Sequence, residues 1–163
     1  MPFKALQADL SDLEFMHSLF ISEVEDGHFT EELLEEEQQI LVRANLESVI
    51  VQGVQRDNGM RAQAIIYEDD EQRIGFVVMS ELEPNKGGNE MYIMAVAKEY
   101  RGKGFGGKIL DDVIQRIVPH ANLFVRCKPD SKIMYQMLIN RGFTKFETDD
   151  EGTQYLAKQK ESQ

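Results

Sequence analysis

Arg101-Gly102-Lys103-Gly104-Phe105-Gly106-Gly107-Lys108 is the stretch on which the fold turns. It lies between an apolar run, Met91 to Ala97, and a helical stripe made by Phe105, Ile109, Leu110, Val113, Ile114, Ile117 and Val118, which Pro119 ends. Glycines let a backbone turn sharply and approach a ligand closely, and a helix start presents unpaired N–H groups to an anion. Lys98, Arg101, Lys103 and Lys108 outweigh Glu99 here, although the chain as a whole carries a net charge of −11. A positive, glycine-rich strand-to-helix turn on an acidic protein points to a bound phosphate or pyrophosphate.

Working outward, strands and helices alternate. A short strand over 3–8 precedes a helix opened by Ser11-Asp12, with Leu13, Phe15, Met16, Leu19 and Phe20 at helical spacing. A second helix is expected from about Thr30, burying Leu33, Leu34, Ile40 and Leu41. Strands follow at 61–67, 73–81 and 90–97, separated by Asp-Asp-Glu and by Glu-Pro-Asn-Lys-Gly-Gly-Asn. After the third helix come a strand at 121–127 and a fourth helix capped by Asp130 or Ser131 and closed by Gly142. Two strands near 143–149 and 153–158 end the pattern.

The 163 residues predict a single domain over 1–163, with the tail 159–163 frayed. The longest apolar run has seven residues, far short of the ~20 that span a bilayer, so no membrane role is expected. The first ten residues lack a signal-peptide pattern. One cysteine, Cys127, permits no internal disulfide, and the expected compartment is the cytoplasm. A pI near 4.7 argues against nucleic acid as a partner. No metal site is expected, and self-association into a homodimer stays open.

Three patterns fit the glycine segment. Gly102 to Lys108 has the P-loop spacing GxxxxGK, but Ile109 follows where a magnesium-binding Ser or Thr belongs. Gly102, Gly104 and Gly107 spell GxGxxG, but a dinucleotide fold places that fingerprint at its first strand. The third pattern, Arg101-x-x-Gly104-x-Gly106, resembles the acyl-CoA signature of the GNAT superfamily of N-acetyltransferases. Glu90 to Gly107 (EMYIMAVAKEYRGKGFGG) is similar to that family's fourth strand, pyrophosphate loop and helix start, and Ser131 to Phe143 ends in a similar Arg-Gly-Phe.

The resemblance implies an α/β (α+β) fold. Its central sheet is mixed and mainly antiparallel, four helices cover its faces, and it splays at the fourth and fifth strands. It implies acetyl-CoA as cosubstrate and direct attack of a primary amine, small or peptidic, on the thioester. Backbone groups of Met94, Ala95 and Val96 would hold pantetheine. Those of Arg101, Gly102, Lys103, Gly104, Phe105 and Gly106 would hold pyrophosphate, and Ser131 would stand where the family often has a CoA-contacting asparagine. A non-catalytic acyl-CoA-binding or regulatory module of the same fold is the alternative.

An alkyl ammonium of pKa ~10.4 must lose its proton before it attacks. Glu90 matches the general-base glutamate of histone-type members, and its Met-Tyr-Ile-Met neighbours would desolvate it. The family often supplies the leaving thiolate's proton from a tyrosine. Leu138 occupies that position here, and Tyr135 lies one turn earlier, about 60° around the helix and ~4.5 Å along it. The acid is therefore Tyr135 or solvent.

His28 is a candidate for the acceptor pocket. Residues 5–42 hold eleven acids and no Lys or Arg, which would attract a cationic acceptor or serve only solubility. Met91, Met94, Met134 and Met137 fit either a groove wall or core. Nothing near Cys127 activates it as a nucleophile.

Overall fold

The computed structural model describes residues 3–83 and 87–161. Seven strands form one sheet in the order β1-β2-β3-β4-β5-β7-β6: β1 Lys4–Gln7, β2 Ala62–Asp69, β3 Gln72–Glu81, β4 Asn89–Val96, β5 Leu123–Cys127, β6 Thr144–Thr148 and β7 Gln154–Lys158. Every neighbouring pair is antiparallel except β4–β5. That parallel pair is registered only at Asn89↔Leu123 and Glu90↔Phe124, so the rest of β4 diverges from β5 and the sheet splays there. The architecture is the mixed, mainly antiparallel α/β sheet with four helices.

Alternation along the strands feeds two cores. Ile65, Tyr67, Val77, Met91, Val125 and Leu156 pack on one face beneath α3 (Phe105–Ile117) and α4 (Lys132–Asn140). Ile66, Phe76, Val78 and Ile93 pack on the other, beneath α1 (Leu13–Glu25) and α2 (Glu36–Gln52). On the first face the Tyr67 hydroxyl donates to Asp112 Oδ2 at 2.7 Å, and Arg116 holds the same carboxylate.

Local rules account for the helix ends. Asp9 accepts the Ser11 N–H at 2.8 Å and Asp12 accepts the Asp9 N–H at 2.9 Å, which closes a capping box on a 3₁₀ turn leading into α1. The second helix corrects the sequence reading. Glu31–Leu34 is a separate 3₁₀ turn, Glu35 is extended, and α2 begins only at Glu36. The break shifts the helical phase, so Ile40 and Leu41 are exposed while Leu46 and Val49 are buried.

Ser131 stands at the N-cap of α4 but makes no side-chain cap bond, and its hydroxyl serves elsewhere. Of the tail, Lys160 N–H donates to Asn122 Oδ1 and Glu161 N–H to Val118 O. Residues 162–163 lie outside the described residues, as do 84–86 of the loop expected after β3. Among the described residues no helix is long and apolar enough to cross a membrane, and no cluster of His, Cys, Asp or Glu is placed to hold a metal.

Candidate active site: the cleft between the fourth and fifth strands

β4 builds one wall. Opposite Val78 and Met79 of β3 it takes an extra residue, Tyr92, and this bulge re-aims the strand just where it leaves β5. Beyond it Met94 and Val96 pack toward the α3/α4 core and Ile93 and Ala95 toward the α1/α2 core. The edge of β4 facing β5 is left without ladder partners over this stretch.

β4 hands over to α3 through Lys98–Tyr100, Arg101 and the glycines. Gly104 is the N-cap of α3 at φ 84°, a left-handed conformation that only glycine adopts without strain. A Cβ on Gly102 or Gly104 would meet nothing within 4 Å, so the main chain is bare on that side. The first intrahelical bond is Lys108 N–H to Gly104 O, which leaves the N–H groups of Phe105, Gly106 and Gly107 without helical acceptors. Beside them, the Cβ position of Gly106 lies 3.6 Å from Met137 Cε and 3.8 Å from Met94 Cε. Lys103 and Lys108 are exposed, stacked over Tyr100 and over Phe3 and Phe105. Bare amides, a helix start and two free-ended lysines suit a pyrophosphate and a further phosphate.

The Arg101 side chain faces away from this cradle. Its Nε donates to Val96 O at 3.0 Å, its Nη1 to Asp26 Oδ2 at 3.1 Å, and its Nη2 forms an ion pair with Glu23. Arg101 holds the Asp26 carboxyl below the usual carboxylate range. Glu23 is pushed up by burial, while Arg101 and then His28 pull it back. Lys98 also reaches Asp26, at 3.7 Å. The end of α1 is thus tied to the pyrophosphate loop.

On the α1/α2 side the cleft opens into a cavity of about 320 Å³. Phe20, Phe29, Tyr92 and Ile93 give it apolar walls, and Arg126 and Lys128 from β5 and its following loop give it charge. The rings of Phe20 and Phe29 stand 4.7 Å apart. His28 lines the same cavity: Gly27, at φ 85°, turns the chain so that His28 N–H donates to Glu23 O at 3.1 Å. The His28 ring reaches the start of α4, with Nδ1 2.7 Å from Ser131 Oγ.

Glu90 opens β4 at the point of divergence. Both its oxygens are engaged by Arg126, Oε2 at 2.7 Å and Oε1 at 3.1 Å, a bidentate pair with the guanidinium. Tyr135 is half-buried on α4 against the α3/α4 core, and its N–H donates to Ser131 O. Leu138 is fully buried. Cys127 ends β5 in the same core, its thiol pushed up to about 11 by burial.

The sequence reading missed Glu23, Arg126, Lys128 and the Phe20–Phe29 pair. Two of these left a trace. Glu23 stands on the apolar stripe of α1 with Phe20 and Val24, and Arg126 is the single charge in an apolar strand, Leu-Phe-Val-Arg-Cys.

Residues 61–138, which include β4, the glycine loop, α3 and most of α4, match the family described as acetyltransferase (GNAT) domain. That stretch, just under half of the chain, is similar to the GNAT acetyltransferase domain. No curated protein matches the sequence. Among solved structures, the fold is similar to the PaiA N-acetyltransferase from Thermoplasma acidophilum in complex with coenzyme A, at 17% identity and TM-score 0.74, covering 98% of this chain and 99% of that one. It is also similar to a GNAT-family acetyltransferase from Streptococcus agalactiae, at 12% identity and TM-score 0.73 over 98% and 96% of the two chains. A spermidine N-acetyltransferase from Vibrio cholerae, in complex with CoA and spermine, matches at 14% identity and TM-score 0.68 over 98% and 96%. At these identities the structures speak for the GNAT fold.

Proposed function

We propose that the protein transfers an acetyl group from acetyl-CoA to a primary amine by direct attack. The observation that carries this reading is the splay: β4 leaves β5 after Glu90, beside a helix start whose main chain is bare at Gly102 and Gly104. A cofactor with a pyrophosphate and an extended amide-bearing arm fits that combination. The N–H groups from Gly102 to Gly106 take the pyrophosphate, the Arg101 N–H being already donated to Lys98 O. Lys103 and Lys108 stand in the same loop and helix start for another phosphate, and the free edge of Met94 to Val96 pairs with the arm as an added strand would. An N–H near Ala95 or Val96 polarises the thioester carbonyl and stabilises the developing oxyanion.

The acceptor enters from the cavity beside Phe20, Phe29 and Tyr92. Its deprotonated nitrogen attacks the thioester carbonyl, the C–N bond forms, the nitrogen gives up its extra proton to solvent, and the C–S bond breaks with its electron pair on sulfur. Tyr135 or solvent supplies the proton that the thiolate takes up. Glu90 enters the reading as the residue that fixes Arg126 at the cavity wall, and as a base it must first release that guanidinium.

A cationic acceptor is supported by the acidic α1–α2 region and by the spermidine acetyltransferase of the same fold. Arg126 and Lys128 in the lining do not oppose it, because each has a carboxylate partner, Glu90 and Glu151. The second reading, a non-catalytic CoA-binding module, is favoured by the burial of Leu138 where the family often has its tyrosine.

Titration calorimetry with acetyl-CoA, followed by thiol release across a panel of amines at low and high salt, tests both. Acetyl-transfer predicts binding and amine-dependent thiol release, with cationic amines favoured at low salt. Binding without release under every condition selects the module, and binding of a nucleoside triphosphate in place of acetyl-CoA overturns both.

A further inference from the structure

Glu23 is only 7% exposed on the apolar stripe of α1, and an unpaired carboxylate there would cost several kcal/mol. Arg101 pairs with one of its oxygens. His28 Nε2 lies 3.7 Å from the other, beyond hydrogen-bond distance. The imidazole is held instead at Nδ1 by Ser131 Oγ. One ring on the wall of the acceptor cavity is thus fixed at one nitrogen and uncommitted at the other, with a buried carboxylate beside it.

We propose that His28 is the base that takes the proton of the incoming ammonium, with Ser131 and Glu23 as its positioning residues. The proposal rests on the acetyl-transfer reading. When Nδ1–H donates to the Ser131 hydroxyl, the ring's lone pair lies at Nε2. Nε2 accepts the ammonium proton, and the freed nitrogen pair forms the C–N bond. As the C–S bond breaks with its pair on sulfur, the nitrogen sheds its second proton to solvent and becomes the neutral amide. The thiolate takes up a proton, and His28 returns its own to solvent before the next turnover. The imidazolium formed in between has its new N–H beside Glu23, and a carboxylate so placed stabilises that charge. The carboxylate of Glu90, by contrast, has both oxygens on Arg126.

Charged groups approach the ring from every side. α1 brings Glu23 and Asp26, matched by Arg101 and Lys98 of the pyrophosphate loop. Asp130, before α4, lies against Gly27. Across the cavity Arg126 is paired with Glu90 and Lys128 with Glu151, and Asp149 accepts from the N–H groups of its own turn. None of these cations faces the imidazole without a carboxylate of its own.

The test is the pH dependence of kcat/KM for thiol release from acetyl-CoA with a cationic diamine, in the wild type, H28Q, H28A, S131A, E23Q and E90Q, alongside acetyl-CoA calorimetry. H28Q is expected to lower kcat/KM about 10²–10³-fold and to erase the acid limb of the profile, with acetyl-CoA affinity within about threefold of wild type. Added imidazole restores part of the rate to H28A. E23Q and S131A keep the limb but displace it, a response that mere loss of packing would not give. E90Q keeps the limb in place. An unchanged limb in H28Q, or a limb lost only in E90Q, overturns the assignment. Wild-type protein that neither binds acetyl-CoA nor releases thiol overturns the acetyl-transfer reading itself, and the proposal with it.

Discussion

The two sides of the cleft are made of different material. The cradle is almost entirely main chain: amides from Gly102 to Gly107 in one unbroken segment, kept bare at Gly102 and Gly104. The cavity opposite is made of side chains from separate places: Phe20 and His28 at α1, Tyr92 on the β4 bulge, Arg126 on β5 and Asp149 near the C-terminus. Backbone recognition needs only a local conformation, whereas side-chain recognition needs the whole fold to bring its parts together. The cofactor side is thereby fixed by a few φ angles, and the acceptor side can change one residue at a time while the cradle stays as it is.

The largest effect that would sharpen this contrast is expected at Gly104. Gly104→Val forces a β-branched residue to φ 84°, at a cost of about 2 kcal/mol, and the loop relaxes away from its present shape. Acetyl-CoA affinity should fall roughly thirtyfold, because 1.4 kcal/mol is a factor of ten, while the KM for amine at saturating acetyl-CoA changes little. Calorimetry and steady-state kinetics read the two separately. Equal damage to both would mean that the walls are not independent.

Arg101→Gln tests the same contrast from the other direction. The side chain serves Glu23, Asp26 and Val96 O rather than the cradle, so acetyl-CoA affinity should stay within about threefold of wild type. Stability should fall instead, by about 1–2 kcal/mol in a denaturant titration, because Glu23 keeps its burial and loses its guanidinium. The value lies below that of a fully buried pair because Arg101 is about a third exposed. A collapse of cofactor binding with stability intact would return Arg101 to the phosphate.

The same difference decides what could be read from the sequence. The strands, the helix stripes and the cradle are legible because each is written in contiguous residues: the apolar run Met91 to Ala97, the 3.6-residue stripe from Phe105, glycines at 102, 104 and 106. Register across the splay was not, since β4 and β5 meet at only two residue pairs. The error at α2 has a local cause, a one-residue extended break at Glu35 that rotates the helical phase and turns Ile40 and Leu41 outward. Pairs such as Arg126–Glu90, Arg101–Glu23 and Ser131–His28 join residues 36, 78 and 103 positions apart, and periodicity carries no information at that range. Ser131 shows the consequence: its type and place suggested a helix cap, but its hydroxyl bonds a histidine that only tertiary structure brings near.

A smaller effect is expected within the cavity. Phe29 is partly buried against Phe20 at the edge of the α1/α2 core, and Phe29→Ala removes that ring contact and widens the acceptor entrance. The KM for amine should rise about fivefold, equivalent to about 1 kcal/mol, with acetyl-CoA affinity unchanged. A shift in acetyl-CoA affinity instead would place this ring on the cofactor path and blur the division between the walls.

The smallest expected effect concerns β5, which both walls share: Arg126 faces the cavity, while Cys127, the next residue, faces the α3/α4 core. Burial pushes the Cys127 thiol up to about 11, whereas an unfolded chain releases that proton near pH ~8.5. Above the unfolded value the unfolded state binds fewer protons than the native one, so stability falls as pH rises. The thiol's contribution is complete below about pH 8.5 and is lost on the way toward 11. Between neutral pH and about pH 9.5, wild type should lose about 1 kcal/mol more than Cys127→Ala, measured from denaturant midpoints at the two pH values. Parallel losses in the two proteins, together with fast alkylation of the native thiol, would mean that Cys127 is not buried. The alternation that sends Arg126 to one wall and Cys127 to the other would then fail, and the two-sided description of the cleft with it.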